Sequence, residues 1–346
     1  MNLPVSQQNR FDLIRLVLAA GVFVYHGAAL AGQNPGGPLE LALAQLAEVC
    51  IQGFFIVSGA LVAGSLDRSS SLADYAGKRL RRLYPAYAAV ILIPALISLA
   101  LTRDTPGVLA YLAANLGFLN FLAPNLPGLF GSNRFTEVNG ALWTLKIEVL
   151  FYMVLPLIFL VLNRLGRLWW LAVMALYAAA ETWAYILPLA LEGNLGLLLA
   201  RQLPGQMAFF AMGIALWKCE ARMRRRWRAL GLSGMVLVAA TVMHPILEPL
   251  RAFALTGLIA AIAFAPGPAL NAARLGDISY GLYITHFPVL QALLAAGLLP
   301  LLGLPGFLSL AAVLVILASF ALWHLIEKPA LRPSSHYRKV ATKDPP

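Results

Sequence analysis

The feature that most constrains this chain is a succession of long apolar runs with few charges inside them. Ten candidate segments follow one another, at approximately 12–31, 41–65, 84–102, 141–162, 168–188, 196–217, 229–246, 252–270, 278–298 and 304–326. A helix needs roughly 20 mostly apolar residues to cross the hydrocarbon of a bilayer. In lipid each backbone N–H and C=O must be satisfied within the protein, which favours helices for runs of this kind. The seventh run is short, and a basic segment precedes the third. No repeat of 20–50 residues is visible. The expected fold is an all-α integral membrane protein, a bundle of about ten transmembrane helices. Residues 1–330 are expected to form one membrane domain and 331–346 a short cytoplasmic tail.

Composition supports this. By length alone, 346 residues could hold two or three soluble domains. But 60% of the chain is hydrophobic and only 12% is charged, against about 25% charged in a soluble domain. Disorder is excluded, because it needs low hydrophobicity. Cys50 and Cys219 lie in or beside apolar runs, so no disulfide framework is implied.

The net charge of +11 needs the distribution of the cations to explain it. With the amino terminus in the cytoplasm and ten spans, the inner segments hold Arg10, Arg15, Arg68, Lys78, Arg79, Arg81, Arg82, Arg164 and Arg167. They also hold the cluster Lys218, Arg222, Arg224, Arg225, Arg226 and Arg228, then Arg274, Lys328, Arg332, Arg338, Lys339 and Lys343. That is 21 of the 26 cations. Arg103, Arg134, Arg201 and Arg251 fall outside, and Lys146 lies within a span. Cytoplasmic loops retain Lys and Arg, so the excess reads as topology with both ends inside rather than as affinity for nucleic acid. Ala29-Leu30-Ala31 resembles a leader-peptide cleavage site, but Arg15 and His26 interrupt the apolar core a leader needs. The first segment is therefore expected to be a retained span. Residues 103–139 form a long outward loop, with an apolar stretch from Leu109 to Leu122, of a kind often used as a lid or binding loop.

Ionisable groups inside spans are costly and by default mark function. Arg15 and His26 stand 11 residues apart in the first span. That is about three turns plus 20°, so they share one face about 16 Å apart along the axis. Arg79 and Arg82 are three apart on one helical face at the inner surface, where two guanidinium forks can clamp phosphate. Pro85 suits a first helical turn there. Glu148 lies within the fourth span, with Tyr152 one turn further on its face. Ser279, Tyr283 and His286 follow an i, i+4, i+7 pattern, which also suits a hydrogen-bond network tying helices together. Ser58 and Gly59 lie inside the second span, where small residues commonly mean close helix packing. Glu327 is expected at a solvated inner edge, because Pro329 ends its helix. His244 and His336 look peripheral, and the five histidines show no metal-ligand spacing, so no metal is expected. Polar groups at every depth suit either a transmembrane group transfer or a proton-coupled carrier relaying through Arg15, His26 and Glu148. No midplane break or inverted repeat of the carrier type is visible.

In order, Asn9 to His26, Phe54 to Gly59, Arg79-Leu80-Arg81-Arg82 with Leu83-Tyr84-Pro85, Leu142-Trp143 through Glu148 to Tyr152, Ser279-Tyr280 to His286, and Glu327-Lys328-Pro329 resemble the motifs of the membrane acyltransferase-3 family. These are integral membrane O-acyltransferases that modify carbohydrates and related surface molecules. Thr144 stands where that family often has serine, Val149 where a second acid often follows, and Lys146 is unusual in the motif. The resemblance implies an acyl-coenzyme A donor, acetyl-CoA by family habit, on the cytoplasmic side of a bacterial inner membrane. It implies a carbohydrate or glycolipid acceptor from the outer side. His26 would be the general base and Glu148 the group that orients it, with Arg15, Arg79 and Arg82 on the donor phosphates. Ser58, Tyr152, Ser279, Tyr283 and His286 would support the site, and Tyr or Ser hydroxyls would stabilise the oxyanion.

Overall fold

The computed structural model describes residues 10–32, 34–267, 276–333 and 335. Asn9, Arg274, His336, Arg338, Lys339, Lys343 and most of the expected 331–346 tail lie outside them. Among the described residues the regular structure is entirely helical. The helices are α1 (Phe11–Ala31), α2 (Pro38–Asp67), α3 (Leu72–Thr102), α4 (Thr105–Leu116), α5 (Trp143–Leu165), α6 (Trp169–Ala190), α7 (Leu195–Ala200) and α8 (Leu203–Lys218). They continue with α9 (Glu220–Arg225), α10 (Trp227–Met243), α11 (Arg251–Phe264), α12 (Ser279–Ala295), α13 (Leu298–Leu322) and the single turn α14 (Lys328–Ala330).

Helix overlies at least part of each of the ten apolar segments, although 252–270 runs past the end of α11 and beyond the described residues. By length and composition, six helical stretches among the described residues can cross a membrane: 11–31, 38–67, 72–102, 140–190, 245–264 and 298–330. The stretch 140–190 joins α5 and α6 through a 3₁₀ turn, Gly166–Leu168, and so covers two of the expected segments. The segment expected at 196–217 is broken at Arg201 and Gln202, leaving α8 with 16 residues. α10 and α12 have 17 each. At 1.5 Å per residue these reach about 25 Å, short of the roughly 30 Å of hydrocarbon. α3 differs in the other direction. It begins at Leu72 and has 31 residues, so Pro85 stands in its interior rather than in a first turn. Its length, about 46 Å, carries Lys78, Arg79, Arg81 and Arg82 on turns that precede the apolar part.

The chain divides into two compact units. The first comprises 1–15, 49–76 and 147–271. In it α2 meets α8 backbone to backbone. A Cβ added to Gly59 would lie 2.3 Å from the Phe210 carbonyl oxygen, and one on Gly213 would lie 2.1 Å from that of Ile56. Phe151 stacks on Phe210 with centroids 4.2 Å apart, and Phe55 meets Phe151 edge-on. α6 packs on α8, and α10 on α11. Arg10 donates to the carbonyls of Ile262 and Pro266 near the carboxyl end of α11, where a cation is favoured.

The second unit comprises 16–48, 77–146 and 272–346. α12 and α13 pack closely, with Gly281 against Ser319. α13 is kinked at Gly303, whose backbone is non-helical, just before Pro305. The long loop expected at 103–139 starts as helix α4. Its Asp104 cap accepts from the Gly107 N–H at 3.0 Å, and it buries Val108, Tyr111, Ala114 and Asn115. The rest of the loop is tied down by side chains. Asn115 donates to the Ala123 carbonyl at 2.8 Å, Ser98 to that of Pro127 at 2.6 Å, and Gln291 of α12 to those of Phe135 and Glu137 at 2.7 and 2.8 Å.

Candidate active site

The second unit brings two histidines together. His26 on α1 and His286 on α12 face each other with Nδ1 of His26 2.8 Å from Nε2 of His286. Their rings lie 25° from parallel, with centroids 5.0 Å apart. His286 is wholly buried, and its Nδ1 lies 3.2 Å from the Leu282 carbonyl of its own helix. Phe23 and Tyr283 meet its ring edge-on. His26 stays partly exposed, with Phe287 against its edge. Tyr283 shares a 2.6 Å hydrogen bond with Thr144 and also donates to the Ala141 carbonyl. The threonine at the family's serine position thus keeps the hydroxyl in use. Asn139 fixes the entry to α5: its amide donates to the Ile284 carbonyl at 2.8 Å, and its oxygen accepts from the Ala141 N–H. A partly open imidazole backed by a buried one is an arrangement suited to handling a proton.

The first unit holds a carboxylate centre. Ser58 on α2 donates to Oε1 of Glu148 at 3.3 Å, and the Tyr152 hydroxyl donates to the same oxygen from one turn further along α5. Tyr75 in turn donates to the Tyr152 carbonyl at 3.1 Å. Ser58 reaches this position on a helix whose next residue, Gly59, lets α8 approach. The packing role of Gly59 and the polar role of Ser58 therefore coexist in one motif.

Arg82 lies in a third polar group, within the second unit. Its guanidinium is buried, donating to Asp277 at 2.5 Å and to Glu327, with the Tyr280 ring beneath it. The Asp277 and Glu327 side chains are each 1% exposed. Ser279 donates to the second oxygen of Asp277 at 2.7 Å, and Tyr280 to the Leu83 carbonyl at 3.0 Å. Two backbone features build this group. Gly276, at φ 128°, lies under Trp323, where a Cβ would come within 2.5 Å of the indole. A π-helical turn, Trp323–Glu327, carries Glu327 inward. Glu327, expected at a solvated edge, is instead buried. Ser279, expected to serve with Tyr283 and His286, bonds Asp277. Arg79 and Arg15 are half-buried, on α3 and α1. Asp277 escaped the sequence reading, although an acid directly before an apolar helix, in a chain with an arginine near an inner boundary, was a usable signal.

At the loop, Arg134 donates to the Ala29 carbonyl at 2.6 Å and to both oxygens of Glu40 at 2.9 and 3.2 Å. Its hydrogen bond to that carboxylate holds its pKa above the usual arginine value. Lys146 sits over the Phe121 ring at 5.0 Å. Among the described residues, no three His, Cys, Asp or Glu side chains are grouped to hold a metal ion.

The chain is 28% identical to nodulation protein 10 of Rhizobium leguminosarum bv. viciae, covering 94% of each. It is 27% identical to an O-acetyl transferase of Shigella phage Sf6, covering 96% of this chain and 98% of the relative. It is 26% identical to the exopolysaccharide production protein ExoZ of Rhizobium meliloti (strain 1021), covering 83% and 90%. No solved structure matches it. A family model described as an acyltransferase domain spans residues 8–324, and with that match over nearly the whole chain, this helical membrane protein belongs to the acyltransferase-3 family.

Proposed function

We propose that the chain is an O-acyltransferase that moves an acyl group, acetyl in the simplest case, from acyl-coenzyme A to a hydroxyl of a carbohydrate or glycolipid. The observation that carries this reading is the His26–His286 pair, in which only His26 is partly open. His26 takes the proton from the acceptor hydroxyl as its oxygen attacks the thioester carbonyl. The C–S bond breaks, and the departing thiolate takes the proton from His26, which returns to its starting state. A histidine suits this because an unprotonated ring nitrogen can accept a proton and release it again. The phage relative's name supports O-acetyl transfer, and that of the rhizobial relative a polysaccharide acceptor.

In this proposal the donor phosphates are held by Arg79, with Arg15 as a further cation, while Arg82 is engaged by Asp277 and Glu327. Glu148, gripped by Ser58 and Tyr152, serves the reaction as a fixed carboxylate. The proposed setting is a bacterial inner membrane crossed about ten times with both termini cytoplasmic, supported by the placement of 21 of 26 cations.

The test uses purified protein in detergent with radiolabelled acetyl-CoA, following donor binding and slow hydrolysis. Folded His26→Ala is expected to lose about 10²–10⁴-fold in turnover while still binding donor. Wild-type turnover in that variant refutes the base, and absence of donor binding by folded wild type refutes the acyl-CoA reading.

A further inference from the structure

We infer that His286 is a positioning residue that sets the tautomer of His26, holding its proton on Nδ1 so that Nε2 carries the lone pair that accepts the acceptor's proton. This rests on the reading of His26 as the base and adds to it the group that makes one ring nitrogen basic.

The argument follows from donor and acceptor inventory. A backbone carbonyl only accepts, so the approach of His286 Nδ1 to the Leu282 carbonyl puts a proton on that nitrogen. A neutral imidazole carries one N–H, so Nε2 of His286 is then an acceptor. The contact at 2.8 Å with Nδ1 of His26 needs a donor, and only His26 can supply it. Donation from Nδ1 leaves Nε2 of His26 unprotonated. The alternative, a second proton on His286, would bury an imidazolium in a wholly enclosed site among Phe23, Tyr283 and the helix backbone, where an uncompensated charge is expensive. The chain of direction is therefore Leu282 carbonyl, His286, His26, and then the open nitrogen. It is built from one helical turn of α12 and one residue of α1. The logic is that of a carboxylate orienting a catalytic histidine, with a neutral imidazole as the orienting group.

A mere structural tie between α1 and α12 would hold the helices without regard to which nitrogen carries the proton, and the tests separate these cases. Protein carrying ¹³C,¹⁵N-labelled histidine reports the tautomer of each ring, and the His26 signals are assigned by their loss in His26→Gln. Wild type is expected to show His26 as the Nδ1–H form. His286→Leu is expected to shift it toward the Nε2–H form and to lower acetyl-CoA turnover by about 10²–10⁴-fold, with KM for the donor unchanged. His286→Gln, whose amide oxygen can accept from Nδ1, is expected to restore the tautomer and to stay within about ten-fold of wild type. An Nε2–H His26 in the wild type overturns the inference without any variant. So does an unchanged tautomer and rate in folded His286→Leu. In either case, a dead His26→Ala leaves the base reading standing. Full turnover in His26→Ala removes the base reading itself, and the inference falls with it.

Discussion

Replacing Arg82 with alanine should damage the fold, not the affinity for donor. The buried guanidinium neutralises two carboxylates whose side chains are each 1% exposed. Removing it takes that counter-charge from both in a low-dielectric site, while Ser279 still donates to Asp277. Breaking a buried ion pair by deleting one partner costs about 3–5 kcal/mol, and here one deletion takes a guanidinium from two buried carboxylates. At about 2.1 cal/mol/K per residue, a chain of 346 residues has an unfolding entropy of about 0.7 kcal/mol/K. The thermal midpoint should then fall by roughly 4–7 °C. Arg82→Lys should recover only part of this, since a single ammonium cannot bridge two carboxylates as a planar fork does. Arg82→Met combined with Asp277→Asn and Glu327→Gln should recover more, because an apolar and amide replacement leaves no buried charge. The assay is the loss of monodisperse protein on heating in detergent, read by size exclusion, beside acetyl-CoA binding to the unheated protein. The reasoning is refuted if Arg82→Ala melts like wild type and instead loses donor binding, for then the guanidinium holds phosphate and its carboxylate partners are incidental.

Three further outcomes follow. Arg79→Ala should bind acetyl-CoA about 10- to 150-fold more weakly, the loss of one charge-assisted hydrogen bond worth about 1.5–3 kcal/mol; an unchanged donor Kd counts against the phosphate contact. Gly59→Val should lower the yield of folded protein sharply, because its Cβ would press 2.3 Å from the Phe210 carbonyl oxygen, and backbone cannot give way as a side chain does; a wild-type melting curve for this variant refutes the close α2–α8 packing. Gln291→Leu should speed hydrogen exchange across 133–137, because the fully buried amide donates to the Phe135 and Glu137 carbonyls and accepts from Asn133; unchanged exchange there means other contacts hold the loop.

The sequence made the helices legible because lipid leaves few alternatives for a long apolar run. α1, α2, α6 and α13 cover the expected segments with small shifts at their ends. It misjudged where α3 begins, since Pro85 reads as a first-turn residue although the Lys, Arg and Leu residues before it are good helix formers. The helix runs through Pro85. The count of spans was less legible still: α8, α10 and α12 are shorter than the apolar runs they overlie, because Arg201 and Gln202, His244 and Pro245, and Gly297 interrupt the backbone, while hydropathy averages across such points.

Side-chain partners follow a different rule. Periodicity placed Tyr283 and His286 on one face and Glu148 one turn from Tyr152, and those local relations appear in the structure. It could not say what the face meets. Arg79 and Arg82 are equivalent by spacing, yet one is buried between Asp277 and Glu327, residues 195 and 245 positions away. His26 and His286 are 260 apart. A heptad or an i+4 rule acts within one helix and carries no term for residues so distant. The composition of a motif therefore limits its chemistry to guanidinium, imidazole or carboxylate, whereas its role depends on whether the partner is another part of the protein or a substrate. Arg82 shows the consequence most directly. The same residue in the same motif reads as a phosphate clamp when its partners are unknown, and as a structural ion-pair centre once two buried carboxylates occupy both arms of the fork.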